Sequence, residues 1–113
     1  DVYPPNEDYP EGYHMNIVDS IIRVRHRESW ERETFMTPGE VYPVQIVLPP
    51  TSNFFNIGHR IRIDVSSSNF PRFDLNPNTG EPSGCHTRMI PAINTVYLDR
   101  ARPSHVVLPT IPR

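Results

Sequence analysis

The segment that decides the fold reads HRIRIDVSS and spans residues 59–67. Within it, Ile61, Ile63 and Val65 alternate with charged residues. A period of two is typical of a β-strand that turns one face to an apolar core and the other to water. The segment therefore predicts a strand whose core-facing side consists of these three apolar residues.

Other segments carry a similar pattern. Residues 21–27 alternate Ile, Val and His with arginines, and residues 40–48 carry Tyr, Val, Ile and Leu at alternate positions. Residues 96–99 and 104–108 predict two shorter strands near the end of the sequence. Short strands separated by turns are typical of an all-β sandwich.

The segments between these strands carry turn and loop signals. Pro38 and Gly39 stand at the centre of a predicted type II turn. Residues 51–55 predict a single helical turn that ends at Gly58. Residues 68–92 lack periodicity and are rich in Pro, Asn, Gly and Ser. For them we expect a long irregular loop that serves a function or forms a binding surface.

Length and composition narrow the possible classes of protein. The 113 residues suit one domain, so we expect a single β-sandwich domain over 1–113. The 14 prolines exclude long helices. Cys85 is the one cysteine and can form no internal disulfide, and no apolar run approaches the ~20 residues that cross a bilayer. With a net charge of −2, we expect no nucleic-acid or membrane partner. Because the sequence shows no signal peptide, we expect a cytoplasmic location.

A family pattern surrounds the clearest strand. Residues 66–80 read SSSNFPRFDLNPNTG, and related stretches are DVYP at 1–4, NIVDSIIR at 16–23, PGEVY at 38–42 and HVVLP at 105–109. Over essentially its whole length the chain resembles the C-terminal, non-catalytic β-domain of the X-Pro dipeptidyl-peptidase and cocaine-esterase-type serine hydrolases.

The resemblance implies a galactose-binding-like jelly roll. It also implies an incomplete one, because the sequence begins where the family's domain is well advanced and the first half of the jelly roll has no counterpart. In the family the Ser-Asp-His machinery lies on a separate α/β-hydrolase domain, which the β-domain braces. The chain by itself is therefore expected not to be an enzyme, and none of its serines stands in a G-x-S-x-G nucleophile elbow.

The loop after the clearest strand is the predicted interface. We expect its aromatic residues to pack against the hydrolase domain or another subunit, with a charged pair bonded at the rim. The alternative is an Ω-like loop packed on its own sandwich. Two phenylalanines beside another strand end are expected at the same interface. The predicted interface residues are Phe54, Phe55, Phe70, Arg72, Phe73 and Asp74.

Catalytic and metal sites have candidate residues but no supporting pattern. The residue types of a triad are present in Ser66, Ser67, Ser68, His59, His105, Asp64 and Asp74. We expect the serine hydroxyls to bond the backbone where the strand ends instead. Five histidines and Cys85 match no zinc spacing, so neither a metal nor a cofactor is expected. The row of arginines at 23, 25 and 27 is expected to form cross-strand ion pairs, with nearby glutamates, rather than to bind phosphates.

An independent β-sandwich module that binds carbohydrate or protein is the alternative function. Trp30 with Glu31, or Tyr97 with Asp99, would supply an aromatic platform beside a carboxylate. Self-association is a further expectation, because a jelly roll without its first strands leaves sheet edges and apolar faces uncovered. The simplest product is a two-fold homodimer with the interface phenylalanines at its centre.

Overall fold

The sheet of this protein is built on one short strand that is hydrogen-bonded along both edges. In the computed structural model, which describes residues 1–82 and 84–111, β1 (Val2–Tyr3) pairs antiparallel with β2 (Tyr13–His14). The register places Val2 opposite His14 and Tyr3 opposite Tyr13. On its other edge β1 forms a single antiparallel bridge, in which Val2 and Arg60 exchange backbone hydrogen bonds of 2.9 and 3.0 Å.

The β1–β2 connection is held by a turn that requires glycine. Asn6 Oδ1 accepts hydrogen bonds from the backbone N–H groups of Asp8 and Tyr9, at 3.0 and 2.9 Å. Gly12 has a φ of +77°, and a Cβ added there would lie 2.7 Å from the Tyr3 carbonyl oxygen. Only a residue without a side chain therefore lets the chain return alongside β1.

A third regular element replaces a predicted strand. Residues Val24–His26 form one turn of 3₁₀-helix, so the prediction of a strand over 21–27 is wrong. Local bonds explain the difference: Arg27 donates to the Val24 carbonyl from both its backbone N–H, at 3.2 Å, and its Nη1, at 3.1 Å. These bonds close a tight turn and leave the alternating side chains without a sheet to join.

The long strands predicted over 40–48 and 59–67 are also wrong. Both segments lack a strand in the structure, and the helical turn predicted at 51–55 is absent as well. The ladder reaches residues 59–67 at Arg60 alone. The type II turn is confirmed, since Gly39 has a φ of +87° and the Glu40 N–H donates to the Thr37 carbonyl at 3.1 Å.

The chain divides into two compact units, Asp1–Val65 and Ser66–Arg113. The described part of the second unit contains no helix or strand, and residues 68–82 and 84–92 form the expected irregular loop. The loop is closed by paired bonds, from Ile90 N–H to the Pro77 carbonyl at 2.9 Å and from Asn78 Nδ2 to the Ile90 carbonyl at 2.8 Å. The two strands predicted near the end of the sequence are reduced to one bridge between Leu98 and Pro103.

With two short strands and one 3₁₀ turn, the described chain is all-β. Among its large aliphatic and aromatic side chains, only Val2 is buried, at 8% exposure. Ile63 is 59% exposed, and Ile61 and Val65 are exposed too, so the core that they were predicted to face is not formed by the described residues. Apolar and charged residues do alternate in this segment, but no second sheet formed by the described residues covers the apolar side chains. No helix in that part of the chain has the length and apolar character needed to span a bilayer.

Burial of Val2 makes it the most sensitive valine of the first unit. We expect Val2→Ala to lower the free energy of unfolding by about 2 kcal/mol, because two buried methyl groups are lost and a cavity remains. The matched control Val47→Ala removes the same atoms from a side chain that is 75% exposed and should cost less than about 0.5 kcal/mol. Urea denaturation of the two variants measures the difference, and equal losses would contradict this description of the core.

Candidate functional site

An enclosed carboxylate–imidazole pair lies beside β1. The Asp1 side chain is 1% exposed and that of His59 is 9% exposed. His59 Nδ1 lies 3.0 Å from each carboxylate oxygen of Asp1, so the imidazole donates its Nδ1–H to the carboxylate. This bond holds the imidazole ring in place and links two residues that are far apart in the sequence.

The sheet register explains how this pair forms. Since Val2 faces Arg60 in an antiparallel bridge, Tyr3 lies opposite His59 on the neighbouring segment. The two rings are 4.3 Å apart between centroids, and the Tyr3 ring also meets Tyr13 edge-on at 5.9 Å. Backbone bonds of 2.8 Å in both directions between Asp1 and Met15 fix the carboxylate end. The pair is therefore held by ring contacts on the histidine side and by backbone hydrogen bonds on the aspartate side.

Hydrolytic chemistry needs a nucleophile hydrogen-bonded to the imidazole. In the described residues, no hydroxyl donates to His59 in this way. Ser66 Oγ instead donates to the Ser68 carbonyl at 2.8 Å and accepts from the Ser68 N–H at 3.2 Å. The prediction that these hydroxyls bond the local backbone is confirmed for Ser66, and for Ser68, whose Oγ accepts from the Phe70 N–H at 3.4 Å. The Asp1–His59 pair thus joins the start of the sequence to the segment at Arg60 and has the geometry of a structural contact.

Two arginines of the row pair with glutamates within the first unit. Arg25 Nη1 lies 3.1 Å from Glu33, and Arg27 Nη2 lies 3.0 Å from Glu28. The guanidinium of Arg27 also stacks on the Tyr42 ring, at 4.5 Å from its centroid. Pairing with glutamates is confirmed for Arg25 and Arg27, although it occurs around a 3₁₀ turn and not across strands. Arginines held in this way are poor ligands for nucleic-acid phosphates.

A groove of about 440 Å³ adjoins this network. One wall is the Arg27–Glu28 ion pair and the other is the extended segment that follows Tyr42. Its lining residues are Arg27, Glu28, Tyr42, Pro43, Val44 and Gln45. The two charged residues of the groove, Arg27 and Glu28, are paired with each other. The remaining lining is apolar side chains, one amide and backbone groups, and these do not form a set of catalytic groups.

The predicted interface residues occur as two separate groups. Phe54 and Phe55 are exposed side chains of the first unit. Phe70, Arg72, Phe73 and Asp74 lie on a turn of the second unit, where the Phe73 N–H donates to the Asn69 carbonyl at 3.1 Å. Phe70 is exposed, and the Arg72 guanidinium lies 5.5 Å from the centroid of the half-buried Phe73 ring. The turn thus presents an aromatic–cation patch to solvent.

The two candidate sugar platforms differ in their surroundings. The face of Tyr97 is covered by the guanidinium of Arg102, at 3.8 Å from the ring centroid. Asp99 is bonded to the same arginine at 2.9 Å and to the Ala101 N–H at 2.9 Å. A sugar ring therefore meets an occupied face at Tyr97. Trp30 is exposed and stands beside the exposed Glu31.

One carboxyl of the irregular loop has a shifted pKa. The Thr79 hydroxyl donates to Glu81 at 2.7 Å and lowers the pKa of that carboxyl, and Thr87 donates to its other oxygen at 3.3 Å. These bonds order the loop around Glu81. No group of three or more His, Cys, Asp or Glu residues within 1–82 and 84–111 is arranged to hold a metal ion.

The described chain is thus all-β, with exposed apolar side chains and an enclosed contact between Asp1 and His59. The chain belongs to the family of X-Pro dipeptidyl-peptidase C-terminal non-catalytic domains, whose model matches residues 1–107. It is also 43% identical over 110 residues to the protein named cocaine esterase of Rhodococcus sp. (strain MB1 Bresler). That match covers 93% of this chain and 19% of the relative, so the chain spans about a fifth of the relative's length. No solved structure matches it significantly.

The Asp1–His59 contact gives a second stability prediction. Asp1→Asn and His59→Gln should each lower the free energy of unfolding by about 1–3 kcal/mol, because each leaves a buried polar partner poorly satisfied. A double-mutant cycle between them should give a coupling of about 1–2 kcal/mol. The control cycle Arg62→Gln with Asp64→Asn, on an exposed pair at 2.9 Å, should give less than about 1 kcal/mol. A coupling near zero for the first cycle would contradict the structural role of the pair.

Proposed function

We propose that this chain braces a catalytic α/β-hydrolase domain as the non-catalytic C-terminal β-domain of an X-Pro dipeptidyl-peptidase or cocaine-esterase-like enzyme. The observation that supports the proposal most strongly is the exposure of the alternating apolar residues in 59–67 and 40–48. Apolar side chains at every second position are suited to packing against another layer. The non-catalytic family to which the chain belongs indicates the same role.

The proposed fold is a galactose-binding-like jelly roll, to which residues 1–113 contribute one β-sandwich domain. The period-two segments and the all-β character support it. In a sandwich, the residues at 61, 63 and 65 would face the second sheet and lose their exposure. Arg60, Arg62 and Asp64 would remain on the solvent side.

The proposed contact surface consists of the interface residues predicted from the sequence. Phe54, Phe55 and Phe70 present exposed rings, and large aromatic side chains dominate the energetics of protein interfaces. Arg72 and Asp74 would lie at the rim, where a guanidinium keeps access to water while stacking on Phe73. Self-association as a homodimer is the second proposed use of such apolar surface.

The cytoplasm is the proposed location of the domain. Cys85 is exposed and free. A scaffold that needs no disulfide is suited to a reducing compartment.

The isolated chain should have no hydrolytic activity. We expect no turnover of p-nitrophenyl esters or of an Ala-Pro chromogenic amide above the buffer rate, because the serines bond local backbone and His59 is bonded to Asp1. Turnover that disappears in Ser66→Ala, Ser67→Ala or Ser68→Ala would show that the chain is itself an enzyme. Turnover unchanged in all three would point to a contaminating hydrolase.

The bracing function can be tested by complementation. Cocaine esterase lacking the region matched here should be unstable when expressed alone, and co-expression with this chain should raise its soluble yield and ester hydrolysis severalfold. The double variant Phe70→Ser and Phe73→Ser should abolish the gain, whereas the matched control Ile93→Ser, on an exposed side chain of the same unit, should not. Binding without any gain in stability or activity would contradict bracing.

A further inference from the structure

An arginine, a carboxylate and an aromatic ring recur together in this chain. In each such set the central guanidinium carbon lies 3.8 to 5.3 Å from the ring centroid, and the same guanidinium forms an ion pair of 2.9 to 3.1 Å with the carboxylate. One planar guanidinium can make both contacts, because its flat face stacks on the ring while its edge donates hydrogen bonds. The sets are Arg25 with Phe35 and Glu33, Arg27 with Tyr42 and Glu28, and Arg102 with Tyr97 and Asp99.

Trp30 and Glu31 supply the ring and the carboxylate of a further set that has no arginine. Trp30 is 84% exposed, and Glu31 is exposed as well. Among residues 1–82 and 84–111, no guanidinium or second ring lies over the indole of Trp30, and Glu31 forms no ion pair. Tryptophan is nevertheless the aromatic side chain that binds cations best. The ring and carboxylate are therefore both available to a cation from outside the described chain.

The loop that carries this pair is held by its own hydrogen bonds. This Trp30 loop comprises residues 27–34, and the Thr34 N–H at its end donates to the Arg25 carbonyl at 2.7 Å. Near its tip, Ser29 Oγ accepts the backbone N–H groups of the two residues after Trp30, each at 3.2 Å. A loop that is already ordered loses little conformational entropy when a partner binds, so the exposed ring is well suited to recognition.

We propose that Trp30 and Glu31 form a docking site for an arginine side chain of a partner protein. The guanidinium stacks on the indole and pairs with the carboxylate, as Arg27 and Arg102 do with rings and carboxylates of this chain. Tryptophan and arginine are also the residues that most often dominate the energetics of protein interfaces. The site shares no residue with the contact surface proposed for the hydrolase domain and does not depend on the bracing function.

Arg32 is the one opposing charge beside the site. Its side chain is exposed and does not lie over the Trp30 ring. A positive charge so close in the sequence weakens the attraction for a second guanidinium without blocking the indole face. Removing it should therefore strengthen binding, whereas removing the charge of Glu31 should weaken it.

The single tryptophan of the chain makes the site directly observable by fluorescence. Tri-arginine amide titrated into the 113-residue chain at low ionic strength should change the emission of Trp30 saturably, since a guanidinium then lies on its indole. Tri-citrulline amide, in which neutral urea groups of the same shape replace the guanidinium groups, should give no saturable change. An equal response to the two peptides would overturn the recognition of a cation.

Charge variants should shift the affinity in opposite directions. E31Q should raise the Kd for tri-arginine about two- to fivefold, as expected for the loss of one exposed ion pair, and R32Q should lower the Kd. The matched control E11Q removes an exposed carboxylate from the β1–β2 connection and should leave the Kd unchanged. Equal weakening by E31Q and E11Q would mean a general attraction to an acidic protein and would overturn the site.

Isothermal titration calorimetry extends the test to variants of the ring itself. W30A should keep the urea midpoint of the native chain, because the side chain is 84% exposed, and should lose tri-arginine binding. W30F, which retains a weaker aromatic face, should bind between the two. Binding that is unchanged in W30A would overturn the proposal. So would a saturable response of the native chain to maltoheptaose but not to tri-arginine, which would assign the ring to a sugar instead.

Discussion

The structure depends on the two-sided pairing of β1. Its backbone is bonded to β2 on one edge and to Arg60 on the other, and this arrangement joins residues from the start of the sequence to residues near its middle. The same pairing buries Val2 and brings the Asp1 carboxylate to His59. Without the bridge at Arg60 neither the apolar contact nor the buried polar contact would form. The turn at Gly12 is part of this constraint, because it lets β2 return beside β1.

Exposure of the remaining apolar side chains is the main physical consequence of so small a sheet. A stable domain of this length normally buries well over half of the surface that its unfolded chain exposes. Here the apolar side chains of the alternating segments stay exposed in the described residues. The charged residues between them, such as Arg62 and Asp64, already make ion pairs and hydrogen bonds. Such surfaces are suited to a second layer, which a jelly roll, a hydrolase domain or a second copy can supply. Membership of a non-catalytic family agrees with a domain that acts through contacts rather than chemistry.

Arginine serves this chain as a local cross-linker. Arg27 meets a carboxylate, two backbone carbonyls and an aromatic ring at the same time. Arg102 does the same with Asp99 and Tyr97 in the second unit. A planar guanidinium can satisfy several partners with one side chain, which an ammonium group does less well. These contacts order loops that have few backbone ladders of their own.

The sequence by itself determined the family, the all-β class, the turn at Pro38–Gly39 and the irregular character of 68–82 and 84–92. Each depends on local chemistry: a glycine that can adopt positive φ, prolines that interrupt ladders, or a string of residues shared with relatives. The backbone bonds of the serines after Val65 were predictable for the same reason, since the partners lie two residues apart. The glutamates that neutralise Arg25 and Arg27 were also close enough in sequence to be expected.

Only the tertiary structure decided which segments obtain a partner. The patterns at 21–27, 40–48 and 59–67 are similar, yet one becomes a 3₁₀ turn and only the last joins the ladder, at Arg60. The alternating pattern predicts which side chains share a face. A strand also needs a neighbouring backbone to bond with, and residues far away in the sequence supply it. The Asp1–His59 pair illustrates the same limit, because nothing near either residue indicates the other. Long-range backbone pairing brings the two residues together, and which residues meet depends on the antiparallel register.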